Sequence, residues 1–406
     1  MRIREYLLTL ATLALIAGVS SNAKASDEGF IYGKVTTRGG DTYTGTMRWG
    51  TQECFWDDLF NATKDDNPWL RYAKKDSDAR DHIKYKILGI TIVTSGDLAY
   101  THMFITRFGD IKNIKVRRKG GTTVVMKNGS EYDISGSGDV DVKVQMLDEN
   151  LGKIKLNWDE IKEIEFMPTP KRTRTAGYRL KGKLISDEME FKGYIMWDAE
   201  ECLSTDILDG ETDDGDVEIE FGNIRSIKQR GRRACLVTLK DGRQFELRGT
   251  NDVNHENRGI YVADDRYGKI EVNWDEFREV IYEDQGDSGN PYDSYQSGKA
   301  ISGTVRTVYD EEYDGKIVFD FDESEDFEIL NGYLDEMEFN IPFRLIASIT
   351  PKGSYSSIVE LVNGEKLRLE DSQDVSQKND GILVFQDKGK PEFIAWEDVE
   401  TIVFRH

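Results

Sequence analysis

The sequence predicts an all-β protein made of three tandem repeat units behind an N-terminal leader, and three observations predict it. The stretches YTGTMRWGTQECFWDDLF (43–60), FKGYIMWDAEECLSTDIL (191–208) and YDGKIVFDFDESEDFEIL (313–330) align without gaps, with Gly45, Gly193 and Gly315 at matching distances ahead of Trp49, Trp197 and Phe319. Each is followed by apolar and polar residues alternating around Asn128-Gly129, Asp241-Gly242 or Asn363-Gly364. That period of two, broken by a pair that tolerates positive φ, signals a hairpin with a type I′ turn. Each series ends in a related element: LNWDEIKEIEF (156–166), VNWDEFREVIY (272–282) or IAWEDVETIVF (394–404). Self-similarity of this kind marks a repeat architecture.

Residues 1–25 read as a secretory signal peptide. Arg2 and Arg4 precede an apolar run from about Tyr6 to Val19, and Ala23-Lys24-Ala25 offers a cleavage site. The run is shorter than the roughly 20 residues of a membrane-spanning helix. The expectation is a periplasmic or secreted product, cleaved near Ala25, with no integral membrane insertion. Repeat unit 1 is expected over 29–166, unit 2 over 177–283 and unit 3 over 299–406. The polar segments 167–176 and 284–298 occupy equivalent places as linkers.

Within the units, Val124, Met126, Tyr132 and Ile134 fall on one strand face, as do Val237, Leu239, Phe245 and Leu247, and Val359, Leu361, Leu367 and Leu369. Trp158, Trp274 and Trp396 follow aliphatic residues in the same alternation, which assigns them, with Trp49 and Trp197, to the core rather than to glycan stacking. Each half-unit has room for roughly five short strands, and closure into a barrel would remove exposed edges. The pattern at 237–282, an apolar-x-Leu-x-Asp-Gly run, then Gly-Lys-apolar, then a final paired strand, resembles the SH3-like and Sm-like small barrels. The resemblance implies that each unit is a pair of five-stranded barrels.

Unit 1 departs from the others between Leu59 and Phe108, a stretch far longer than Ile207 to Phe221 or Ile329 to Phe343. This insertion, about 61–107, places Trp69, Tyr72 and Tyr85 among Arg71, Lys74, Lys75 and other cations, a basic island in a chain of net charge -22. Long insertions at loop tips commonly carry function. Trp69, Arg71, Tyr72, Lys74, Lys75 and Tyr85 are therefore the candidate binding residues, for a protein or an acidic glycan; docking within the molecule is the structural alternative.

The acidity excludes nucleic acid as a partner, because phosphate backbones are bound through basic patches. Gly286-Asp287-Ser288-Gly289-Asn290-Pro291 comes close to the stretch around the nucleophile of chymotrypsin-like proteases. It falls in a linker, though, and none of the four histidines stands in that family's histidine setting. Ser288 is expected to be exposed and unpartnered by histidine, and no catalytic residue is assigned. No histidine or cysteine pair has zinc-ligand spacing. The cluster Asp209, Asp213, Asp214 and Asp216 is a possible calcium site, although it lacks the spacing of an EF-hand loop. Cys54, Cys202 and Cys235 are too few for a disulfide framework; they read as buried thiols, with a Cys202 to Cys235 bridge as the alternative.

Repeated modules without one concentrated polar constellation favour multivalent contact over catalysis. The expected function is an exported, non-enzymatic binding or scaffolding protein of the bacterial cell envelope, needing no cofactor. A calcium-stabilised surface adhesin or glycan-binding protein and an envelope hydrolase are the alternatives.

Overall fold

The computed structural model describes residues 26–72, 84–87, 90–93, 103–117, 121–136, 138–284, 287–296, 298–387 and 389–406. Residues 1–25, expected as a leader, and part of the expected insertion lie outside the described residues. The chain is all-β: every strand pairing is antiparallel, and the described helical elements are single 3-10 turns.

The first third contains β1 (Tyr32–Thr37), β2 (Thr42–Trp49), β3 (Leu59–Lys64), β4 (Lys84–Ile87), β5 (Ile90–Val93), β6 (Met103–Arg107), β7 (Ile111–Val116), β8 (Thr122–Met126), β9 (Glu131–Ser135), β10 (Val144–Asp148), β11 (Gly152–Leu156) and β12 (Ile161–Phe166). Apart from the separate hairpin of β4 and β5, they pair in the order β11, β10, β2, β1, β12, β7, β8, β9, β3, β6. The next strands are β13 (Lys181–Ser186), β14 (Glu190–Met196), β15 (Ile207–Thr212), β16 (Gly215–Glu220), β17 (Ile224–Gln229), β18 (Ala234–Leu239), β19 (Gln244–Arg248), β20 (Ile260–Asp264), β21 (Gly268–Val272) and β22 (Phe277–Tyr282). They pair in the corresponding order: β21, β20, β14, β13, β22, β17, β18, β19, β15, β16.

The last strands are β23 (Ser302–Thr307), β24 (Glu312–Val318), β25 (Ile329–Leu334), β26 (Met337–Pro342), β27 (Ile346–Lys352), β28 (Ser356–Leu361), β29 (Lys366–Glu370), β30 (Ile382–Phe385), β31 (Glu392–Ile394) and β32 (Val399–Phe404). Their order is β31, β30, β24, β23, β32, β27, β28, β29, β25, β26. Strand β21 pairs with β26, Ile270 opposite Phe339, and so joins the second and third series into one 20-stranded sheet. No pairing among the described residues closes a ring of strands.

One glycine pair explains how tightly each series folds over itself. Gly33 faces Gly45, Gly182 faces Gly193 and Gly303 faces Gly315 across adjacent strands. A Cβ at Gly45, Gly193 or Gly315 would stand 2.0, 1.8 or 2.3 Å from the carbonyl oxygen of Leu147, Ala263 or Phe385. Only glycine permits that approach.

The hairpins expected at Asn128-Gly129, Asp241-Gly242 and Asn363-Gly364 join β8 to β9, β18 to β19 and β28 to β29. Their turns differ from the type I′ expectation. The glycines have φ of 89°, 91° and 88°, while the preceding Asn or Asp keeps negative φ. Instead the Asn or Asp side chain accepts the amide of residue 130, 243 or 365, and the glycine takes the left-handed position at the end of a longer loop.

Trp49 and Trp197 are fully buried, and Trp158, Trp274 and Trp396 nearly so. Trp158 and Trp396 sit in 3-10 turns rather than on strands, immediately ahead of β12 and β32. Their burial follows from where those turns fold, not from strand alternation.

The segments expected as linkers are docked. Thr169 donates its hydroxyl to Phe30 O (2.6 Å) and accepts the Trp56 indole N–H (3.0 Å). Ser288, expected to be exposed, is 5 % exposed. It donates to Ser26 O (2.6 Å) and accepts from Gly29 N (2.9 Å). Beyond it, Tyr292 stacks against Trp56 and donates to Ile111 O (2.7 Å), and the Lys127 ammonium caps the carbonyls of Tyr292 and Tyr295. Polarity suggested an exposed tether because most of these residues are hydrophilic. Two tyrosines with apolar bodies and satisfied hydroxyl or backbone partners instead anchor it on the first series.

Candidate functional site

The three series meet around a cavity of about 240 Å³. Cationic side chains from each reach it: Arg107 from the first, Arg179 and Lys269 from the second, Arg344 from the third. They come from strand ends and adjoining turns, where side chains leave the sheet and meet across the seams.

Arg179 is locked in place. Its Nη1 lies 2.6 Å from Asp57 Oδ1 and its Nη2 3.6 Å from Asp58 Oδ1. Its guanidinium is sandwiched between the rings of Phe55 and Tyr194, at 4.1 and 3.6 Å from their centroids. Asp58 in turn accepts the amides of Cys54 (2.7 Å) and Phe55 (2.8 Å), fixing the loop that carries Asp57. Arg107 forks onto the fully buried Asp110 at 2.8 and 3.1 Å and lies over the Tyr295 ring.

Arg344 is different. Its Nη2 is 3.9 Å from Asp110 Oδ2, beyond hydrogen-bonding distance, and its Nε and Nη2 have no hydrogen-bond partner among the described residues. Burial, with Arg107 beside it, pulls its pKa below the usual arginine value. Unpaired, partly desolvated guanidinium donors are costly unless an acceptor completes them. The planar fork of arginine matches a carboxylate or phosphate bidentately, so the cavity can hold an anionic group.

Elsewhere in the fold, one carboxylate arrangement recurs three times. Asp139, Asp252 and Asp374 each accept a backbone amide, from Asn61, Asp209 and Asn331. Close by, Glu53, Glu201 and Glu323 follow the turns after Trp49, Trp197 and Phe319. Burial raises all six pKa values: Asp139 and Asp374 to about 7, Asp252 to about 6 and Glu201 to about 9, with Glu53 and Glu323 also well above the carboxylate range. Each aspartate further raises its neighbouring glutamate by charge repulsion.

The insertion docks onto the third series. Trp69 and Tyr72 each contact the Phe385 ring edge-on at 5.6 Å, and Asn67 donates to Phe321 O. Arg71 is exposed and lies over Tyr72. Trp69 also lines an open cleft with Lys316, Phe385 and Arg405. Lys74 and Lys75 lie outside the described residues; Tyr85 falls in β4, where only the backbone is described. Of the candidate binding residues, Trp69 and Tyr72 therefore serve an internal joint.

The acidic cluster is a β-hairpin. Asp209 and Asp216 lie in β15 and β16, Asp213 and Asp214 at the tip, and Asp213 pairs with Arg248. Among the described residues no group of three or more His, Cys, Asp or Glu gathers as a metal site. His255 and His406 contact the backbone carbonyls of Arg232 and Ile346; His82 and His102 lie outside the described residues. Cys202 touches Cys54, not Cys235, and all three are free thiols. The expected alternative bridge is thus corrected: Cys235 lies on β18 inside the core of its own series.

Sequence reading missed Arg179 and Arg344 because their partners are distant in the chain and no local spacing links them. No protein-family model, no curated protein and no solved structure matches the chain.

Proposed function

We propose that the chain is an exported, non-enzymatic binding or scaffolding protein of the bacterial cell envelope, made of three copies of a ten-strand unit behind a leader cleaved near Ala25. The recurrence of one strand order in three successive segments supports the repeat reading. The observation that carries the functional reading is Arg344: two N–H donors left without partners at the junction of all three series. Near it, Arg179 is held by Asp57 of the first series and Arg107 by Asp110 of its own, so neither offers the open fork that Arg344 does. The Ser288 hydroxyl is engaged by the backbone of Ser26 and Gly29, and among the described residues no histidine contacts it to act as the base that an activated serine requires.

The ligand proposed for the cavity carries a carboxylate or phosphate. Melting the protein against a panel of small carboxylates and phosphates tests this. A stabilisation seen in the wild type and lost in both Arg344→Gln and Arg344→Lys supports the reading; no stabilisation by any compound overturns it. Cell fractionation tests export: a mature N-terminus at Ser26 outside the cytoplasm is expected, and an uncleaved cytoplasmic chain overturns that part.

A further inference from the structure

We propose that Cys54 and Cys202 are a disulfide-forming pair that ties the first strand series to the second, with Cys235 left as a thiol. The two Sγ atoms are 3.8 Å apart, in van der Waals contact, with both residues almost fully buried. A disulfide is about 2.05 Å long, so the sulfurs have only to close on one another; no third group fits between them.

Their positions are equivalent. Cys54 donates its amide to Asp58, Cys202 to Asp206, and in the third series Ser324 donates to Glu328, each at the same place in the loop after the first aromatic strand. The first and second series bring these loops face to face, in a small apolar cluster with Phe30, Phe55, Met196, Leu203 and Tyr261. The thiols occupy the two copies of the position that meet, and serine occupies the third. Cys235, fully buried on β18, is a free thiol within the core of its own series.

The seam is braced for such a link. Arg48 of β2 crosses it, forking onto Asp206 at 2.7 and 3.0 Å and donating to Glu200 O. Its positive charge favours the Cys202 thiolate, but contact with Cys54 and burial outweigh it and hold Cys202 protonated in the folded chain. The bond is therefore expected to form during folding, before the seam closes. Chemically, a thiolate of one cysteine attacks the disulfide of an oxidant of the glutathione-disulfide class, releasing one reduced thiol. The second cysteine then displaces the other and closes the protein bond. The two thiol protons and two electrons leave with the two reduced oxidant thiols. In the cell this step rests on the export proposed above, because such oxidants prevail outside the cytoplasm.

The test is oxidative refolding of the reduced, denatured full chain in a reduced and oxidised glutathione buffer, followed by alkylation and peptide mapping without reduction. The expected result is a linked peptide pair containing Cys54 and Cys202, alkylated Cys235, and a higher Tm than the reduced protein. Three alkylated cysteines, or Cys235 in the linkage, overturns the proposal. Cys54→Ser should remove both the linked pair and the Tm difference. Should that variant fail to fold, Cys235→Ala must still show the Cys54 to Cys202 link, and its absence there counts against the pair. Mapping the same cysteines in protein taken directly from cells reports on compartment: a pair that links on refolding but is reduced in cells overturns export, not the pair.

Discussion

Lys64 Nζ lies 2.8 Å from Glu328 Oε1, in a buried ion cluster that also places Asp322 Oδ1 at 2.6 Å and joins β3 to the loop before β25. Both carboxylates and the ammonium are more than nine-tenths buried. Removing the cation takes the Lys64 charge from two buried carboxylates, so Lys64→Met is expected to cost about 3–5 kcal/mol. Urea unfolding measures it. Adding Glu328→Gln should return part of the loss, because one of the two carboxylates is then replaced by a neutral group; a double variant no more stable than Lys64→Met would count against the cluster.

Gly193→Ala is expected to be far more damaging than Gly364→Ala. The first would push a Cβ to 1.8 Å from Ala263 O, whereas the second meets nothing within 4 Å and bears only its φ of 88°. Strain at such a φ costs about 1–3 kcal/mol; a backbone collision between paired strands cannot be relieved without separating them. Soluble yield and Tm of the two variants check the ranking.

Stability should fall as pH rises through the neutral range, on account of the buried carboxyls. Asp252 and Glu201 titrate at about 6 and about 9 in the folded chain, against about 4 when unfolded. The folded state therefore holds protons that the unfolded state has released. The contribution is full below about pH 4 and is lost as pH rises through the folded values. Glu201→Gln stays neutral at every pH, so the Tm difference between variant and wild type should widen in the variant's favour from pH 6 to pH 9. A constant difference would refute the assignment.

Ser288→Ala should destabilise by about 1–3 kcal/mol, since it leaves the Gly29 N–H without its buried acceptor. A fluorophosphonate probe should not label Ser288, whose hydroxyl is committed to Ser26 O. Labelling at that residue would restore the hydrolase reading.

The recurrence of Gly45, Gly193 and Gly315, the period-two faces of Val124 and Met126 or Val237 and Leu239, and the three Asx-Gly hairpins were all legible in the chain, because strand, turn and close-packed glycine each leave a short-range pattern. The all-β class follows from them. The candidate site left no such trace. Arg344 is remote in sequence from Asp110 and Arg107, and Arg179 from Asp57, so which of many arginines faces which of many acids depends on how the series meet.

The sequence by itself determined which residues form strands and where hairpins turn, since those choices rest on local periodicity and backbone sterics. Only the tertiary structure decided that Ser288 is a buried staple, that Trp69 and Tyr72 rest on Phe385, and that Cys54 faces Cys202. Contacts across seams are set by the shapes of surfaces assembled from distant segments. A polar linker or an aromatic insertion looks the same in sequence whether it is solvated or docked. What separates the two outcomes is whether a complementary surface, here the first series for Tyr292 and the third for Trp69, lies within reach to bury its apolar parts and satisfy its polar ones.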